Sequence, residues 1–204
     1  KLRLFGNVGQ IIPLKFINIQ DENIAKLIQS ADVVINLKTL WQEKTLSFHK
    51  GIYMFNADLL NLINKIDKNK LYIFFSGLGI NNDSSSKRIR TIANTEEYIK
   101  KNSINSCIIR PGVILGGGDQ FLRRLIPVFK MSFFIPLFSE QVKLQPVYVD
   151  DIAKAIETII IRKIKGKHIF ELVGPEIFTY RILYTYLEDC LGVHRIFIVI
   201  PFIL

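Results

Sequence analysis

The sequence predicts an α/β protein, a doubly wound parallel sheet over residues 1–118 followed by a smaller α+β lobe over 119–204. Apolar, β-rich runs alternate with segments of helical periodicity, the order that builds parallel sheets through helical crossovers. One of those runs, Leu71-Tyr-Ile-Phe-Phe75, is apolar throughout, as a strand covered on both faces should be. Two strand-then-loop units complete the pattern. Cys107-Ile-Ile-Arg-Pro-Gly-Val-Ile-Leu-Gly-Gly-Gly-Asp119 ends its apolar run at a proline that cannot donate to a ladder and a glycine that permits close backbone approach. Gln145-Pro-Val-Tyr-Val-Asp-Asp-Ile-Ala153 gives way at Asp150, read as the N-cap of a helix over 152–161. In open α/β sheets, ligands bind at the carboxyl ends of strands, so units of this kind point to nucleotide binding.

Taken in order, Ile11–Ile19 reads as a strand and Asp21–Ile28 as a helix with an acidic first turn. Asp32–Leu37 reads as a buried strand. Between Phe48 and Ile66 the apolar residues Ile52, Phe55, Leu59 and Ile63 fall at helical spacing. After the 71–75 strand come a polar loop over 81–86, a helix over 87–101, a strand over 106–110 and a helix over 119–131. Residues 133–137 and 142–144 are short, proline-broken strands of the smaller lobe. A strand over 167–173, expected to pack back with the rest of 145–173 on the main sheet, precedes a helix from Thr179 to Leu191.

Composition narrows the classes. Of 204 residues, 49% are hydrophobic and 22% charged, a globular balance that excludes general disorder. A formal charge of +9 suits an anionic partner, such as a dinucleotide, an acidic protein face or an anionic membrane surface. Dispersed, solvated lysines explain the same number. No cationic block interleaved with aromatics marks a nucleic-acid binder. Cys107 and Cys190 lack disulfide or zinc spacing and fit a reducing compartment; His49, His168 and His194 are equally scattered, so no metal site is expected. No run reaches the roughly 18 apolar residues of a membrane span. Neither end has the character of a natural terminus, and a longer parent protein is expected.

In family order along nearly the whole chain stand Leu4-Phe-Gly-Asn-Val-Gly-Gln10, Ala31-Asp-Val-Val-Ile-Asn-Leu37, Phe74-Phe-Ser-Gly-Leu-Gly79, Ile109-Arg-Pro-Gly-Val-Ile-Leu-Gly116, Asp119-Gln-Phe121, Gln145-Pro-Val-Tyr-Val-Asp150 and Phe170-Glu-Leu-Val-Gly-Pro-Glu176. With these the chain resembles the atypical and extended short-chain dehydrogenase/reductases, NAD(P)-binding proteins of the epimerase/dehydratase type. Within that superfamily it resembles most the accessory-subunit family of respiratory complex I. The resemblance implies a Rossmann fold whose first strand and glycine-rich phosphate loop lie before Lys1, so the fold is N-terminally incomplete here. It also implies a location on the cytoplasmic or mitochondrial-matrix side, peripheral to the inner membrane, with complex I subunits as partners and no secretion.

Family positions that line a dinucleotide, NADP or NAD, map onto Asn18 and Ile19 at the adenine, and onto Leu37 and Lys38 along the adenosine and pyrophosphate. Ser76 falls at the substrate-orienting hydroxyl, and Pro111, Gly112 and Val113 fall at the nicotinamide end. The plain alternative for each is an ordinary strand-end residue. Two positions depart from the family: Asn18 replaces an acidic residue, and Thr39 stands near a usual glycine. Gly116–Gly118 reads as a flexible turn. The choice between NAD and NADP depends on a residue expected upstream of Lys1.

The catalytic pair of the superfamily is a tyrosine with a lysine four residues on, whose ammonium lowers the phenol pKa. Here those positions hold Arg88 and Ile92. Guanidinium does not give up its proton in a protein, and isoleucine lends no charge. No tyrosine in the chain has a lysine four residues later: Tyr53, Tyr72, Tyr98, Tyr148, Tyr180, Tyr184 and Tyr186 are followed there by Ala57, Ser76, Asn102, Ile152, Tyr184, Glu188 and Cys190. A non-catalytic nucleotide-binding subunit is therefore expected, with no catalytic residue. An enzyme using Asp119, Asp150 or Glu176 as acid/base, or a decayed relative, stands as the alternative.

Overall fold

The computed structural model describes residues 7, 10–15, 18–138, 140 and 142–200. The described residues fall into two compact units, one drawn from Lys1–Ile73 and Asn81–Ser106, the other from Phe74–Ile80 and Cys107–Leu204.

In the first unit, α1 (Glu22–Ser30) starts at Asp21, whose carboxylate accepts the Asn23 N–H at 2.9 Å. Its last turn is closed from outside: the Lys70 ammonium donates to the Ala31 and Gln29 carbonyls at 2.6 and 3.2 Å. Then β1 (Val33–Asn36) leads through residues 37–48 to a π-helical turn at His49–Met54 that runs on into α2 (Phe55–Asp67). The first residues of β2 (Leu71–Phe75) and the whole of α3 (Lys87–Asn102) complete it, with Ser86 capping α3 through the Ile89 N–H. Ile52, Leu60, Ile63, Ile92 and Ile99 are its apolar core.

The second unit holds the end of β2, most of β3 (Ser106–Pro111), and β4 (Ile114–Leu115). It continues through α4 (Gln120–Met131), β5 (Phe134–Phe138), β6 (Lys143–Leu144), β7 (Val147–Tyr148) and α5 (Val149–Ile161). Last come β8 (Lys167–Leu172), β9 (Phe178–Thr179), α6 (Tyr180–Leu191) and β10 (Ile196–Ile200). The main sheet has the order β1-β2-β3-β8. Tyr72, Ser76 and Leu78 donate to the carbonyls of Asn105, Ile109 and Pro111 in turn, a constant offset that marks β2 and β3 as parallel. Tyr72, Ile73, Phe74, Cys107, Ile108 and Ile109 have essentially no exposed surface, as strands of a doubly covered sheet require. Among the described residues three two-stranded pairings also form: β5 with β10 and β4 with β7, both parallel, and β6 with β9, antiparallel. A second core joins Phe129, Ile135, Leu137, Tyr184 and Leu187, with the Phe129 and Tyr184 rings edge to face at 5.2 Å.

The expected alternation is present, with three corrections. The strand expected to be buried over 32–37 forms as β1, but only Asn36 is buried and Ile35 is exposed. No strand forms over 11–15 or 18–19, which are irregular or in a turn, while Phe16 and Ile17 lie outside the described residues. Pro13 interrupts the ladder there, and Ile12 and Leu14 are exposed, so no burial rewards an extended pairing. Asp150 is not an N-cap: α5 begins at Val149, with Tyr148 in the N-cap position and no side-chain cap, and Asp150 sits exposed in the first turn.

Candidate functional site

At the carboxyl end of β1 the chain is held by a buried polar cluster. Asn36 donates its side-chain N–H to Asn56 Oδ1 at 2.8 Å, and the Tyr72 hydroxyl donates to the same oxygen at 2.5 Å. Asn56 in turn donates to the Ile52 carbonyl in the π-helical turn at 2.7 Å. The remaining Asn36 oxygen accepts the Lys38 N–H at 2.9 Å, which fixes the turn out of the strand. Two predicted residues follow from that turn. Leu37 is exposed, and Lys38 lays its ammonium 3.5 Å from the centre of the Phe55 ring, where burial lowers its pKa. A cation and an exposed apolar side chain at a strand end suit a phosphate and an adenosine face. Asn18 and Ile19, the other predicted pair in this unit, lie in the turn before α1. The Asn18 carbonyl accepts the Asp21 N–H, and the Ile19 side chain is buried.

Arg88, expected from the resemblance at the place of the catalytic tyrosine, is engaged with the 39–41 segment. Its Nε donates to the Leu40 carbonyl at 2.7 Å, its Nη2 to Thr39 Oγ1 at 3.3 Å, and its guanidinium lies 4.1 Å from the centre of the Trp41 ring. Thr39, which stands near a usual family glycine, accepts this contact with its hydroxyl. Ile92, expected from the resemblance at the lysine position, is only 3% exposed and belongs to the core. Tyr72 offers no substitute base, because burial raises its phenol pKa.

In the second unit, Ser76 follows β2 with its N–H on the Ile109 carbonyl at 2.8 Å, beside Pro111, Gly112 and Val113 at the end of β3. Gly112 is required by its own neighbours. A Cβ there would stand 1.9 Å from the Gln145 carbonyl oxygen, while its N–H donates to Leu172 and the Val113 carbonyl accepts from Val147. Gly174 meets Pro146 in the same way. The close approach foreseen at Gly112 is therefore made to the 145–147 segment. Gly112→Ala is expected to cost about 1–3 kcal/mol by forcing that backbone apart, read as a fall in the denaturant midpoint. An unchanged midpoint would show that the segment gives way freely.

The alternative acids are otherwise occupied or exposed. Asp119 caps α4, accepting the Leu122 N–H at 2.7 Å; Asp150 and Glu176 are exposed. Cys107 is fully buried and its thiol is pushed up to about 11 by desolvation, so it is no nucleophile. Among the described residues no cluster of three or more His, Cys, Asp or Glu could hold a metal. A separate cleft of about 450 Å³ is lined by His49, Tyr53, Thr91, Asn94, Glu97, Tyr98 and Lys101, none of them predicted. The polar cluster at β1 and the Arg88 contacts were missed as well. Asparagines at core positions of two apolar elements, Asn36 and Asn56, were the available signal for the first.

The fold is a Rossmann-type α/β fold of the kind seen in solved epimerases and dehydratases. The dTDP-glucose 4,6-dehydratase of Bacillus anthracis, solved with NAD, matches 98% of this chain and 70% of its own with a TM-score of 0.75 at 16% identity. A UDP-glucuronic acid 4-epimerase of Bacillus cereus, solved with UDP-glucuronic acid and NAD, matches 91% of this chain and 67% of its own with a TM-score of 0.72 at 17% identity. No protein-family model matches the chain. In sequence it is similar to subunit 9 of the alpha subcomplex of mitochondrial NADH dehydrogenase (ubiquinone). Identity to the Dictyostelium discoideum protein is 31% over 88% of this chain and 50% of that protein. To the Arabidopsis thaliana protein it is 31% over 98% of this chain and 51% of that protein. The chain thus spans about half the length of the relatives it matches; the resemblance drawn from its motifs is borne out in sequence by the accessory-subunit relatives and in fold by the epimerase and dehydratase structures.

Proposed function

We propose that this chain is part of a non-catalytic accessory subunit of respiratory complex I that binds NADP or NAD as a structural ligand. One observation carries the reading. The two positions on which superfamily chemistry depends hold an arginine bonded into the 39–41 segment and an isoleucine sunk in the core. The fold remains suited to a dinucleotide. Lys38 and Leu37 at the end of β1 are proposed to face the pyrophosphate and adenosine, with Asn18 and Ile19 at the adenine. Ser76, Pro111, Gly112 and Val113 are proposed for the nicotinamide half. An upstream glycine-rich loop supplies the phosphate cradle in this reading. When bound, the dinucleotide brings hydride chemistry that this chain has no tyrosine–lysine pair to use.

In the same proposal, residues 1–118 form the dinucleotide-binding domain and 119–204 the smaller lobe. The partners are complex I subunits, at the matrix face of the inner membrane. No helix of the described residues is long and apolar enough to cross a membrane. Sequence relatives that are named subunits of NADH dehydrogenase support the partner assignment.

Two measurements on the intact protein test it. Saturating NADPH or NADH is expected to raise the melting midpoint, since a ligand at one hundred times its Kd adds about 2.7 kcal/mol to the native state. Tagged protein is expected to co-purify with complex I. Purification as a free monomer with no thermal response to either dinucleotide would remove both halves of the proposal.

A further inference from the structure

We propose that Arg88 is a positioning residue for the dinucleotide: it fixes the segment that carries Lys38 and thereby sets affinity without touching the ligand. This rests on the dinucleotide reading above. The guanidinium reaches three consecutive residues at once, bonding the Thr39 hydroxyl and the Leu40 carbonyl and stacking on the Trp41 ring. Trp41 is 76% exposed, so little else restrains its indole. The residue before Arg88 holds the same segment further along. Lys87 pairs with Glu43 at 3.0 Å, and the other Glu43 oxygen accepts the Phe48 N–H at 2.7 Å. Leu40 is also seated against Gly51, where a Cβ would meet it at 2.1 Å.

Lys38 is thus held from both sides, by the Asn36 carboxamide on its own N–H and by Arg88 on the residues that follow. Without Arg88 the connection from β1 to the π-helical turn has far more conformations, and a ligand must order it on binding. Only an arginine can make this contact, because the fork and the flat stacking surface are lost in lysine. The site of the lost general acid has become a brace for the binding loop.

The test uses the full-length protein, with NADPH and NADH titrated by calorimetry and Trp41 emission isolated by subtracting a Trp41→Phe background. Arg88→Ala is expected to weaken binding roughly tenfold, as when the competent loop falls to about a tenth of the population. It should also change Trp41 emission and increase its quenching by acrylamide before any ligand is added. Arg88→Lys keeps the charge and is expected to restore neither. Should Arg88→Ala fail to fold, Thr39→Val removes one acceptor without changing side-chain shape, and a smaller loss in the same direction is expected. Unaltered affinity and emission in Arg88→Ala, or in Thr39→Val if that variant must stand in, or full rescue by Arg88→Lys, would overturn the inference. Failure of the wild type to bind either dinucleotide overturns the reading beneath it, and that result is separate because it needs no variant.

Discussion

Ile92→Lys is expected to destabilise the protein by roughly 4–5 kcal/mol at neutral pH and by roughly 4–7 kcal/mol at acid pH, corresponding to a lysine pKa depressed by about 3–5 units at a buried site. Position 92 is where the resemblance places the superfamily's lysine, so in the proposed reading the substitution restores half of the absent pair. It does so in a place that has become core: Ile92 is 3% exposed and lies on the packed face of α3 with Ile99. The pH dependence follows from the sign of the shift. A lysine whose folded pKa lies below its unfolded value of about 10.4 is penalised wherever the unfolded chain still holds its proton. The penalty is therefore full at low pH and shrinks as pH rises through the window between the two pKa values. Ile92→Met, of similar volume and no charge, is expected to cost under about 1.5 kcal/mol. Chemical denaturation at neutral and alkaline pH separates the two. A lysine variant as stable as wild type at pH 7 would mean that the position still opens to water, as a catalytic site needs.

Asn56→Ala is the second large effect, because it removes the centre of the cluster at the end of β1. Asn56 is wholly buried and accepts from both Asn36 and the Tyr72 hydroxyl while donating to Ile52. Truncation leaves those groups underbonded in a dry environment, at about 1–3 kcal/mol for each orphaned group, besides the cavity. A total near 3–5 kcal/mol is expected. Tyr72→Phe should cost only about 1 kcal/mol, since it takes away the donor and leaves Asn56 its bond from Asn36. A double-mutant cycle between positions 56 and 72 is expected to show strong coupling, measured by denaturant unfolding; additive costs would mean the cluster is three separate bonds. The effect reaches the site, because the Asn36 oxygen of the same cluster holds the Lys38 N–H.

Most of the fold was legible because its signals are local. The all-apolar 71–75 run, the acidic start at Asp21 and the Thr179 cap each dictate an element without help from distant residues. Where the reading failed, a competing local rule prevailed, as with Pro13 within the expected first strand and Asp150, where the helix begins a residue earlier. The site was legible only in part. Leu37, Lys38, Ser76 and Pro111–Val113 do stand at strand ends, as parallel topology requires. That Arg88 braces Thr39–Trp41 across 48 residues of sequence was not readable, since nothing in the local pattern of either segment announces the other. Gly112 shows the converse. The residue was correctly read as permitting close approach, but the partner is the Gln145 carbonyl, and only the folded chain reveals it.

A nicotinamide absorbance time course on the intact protein, with carbonyl compounds and nucleotide sugars as trial substrates, bears most directly on the missing tyrosine–lysine pair. NADPH or NADH should be taken up in proportion to the protein and then remain unconsumed, with NADP and NAD likewise unreduced. Steady oxidation or reduction through many equivalents, lost on removal of a residue from this chain, would contradict a non-catalytic role.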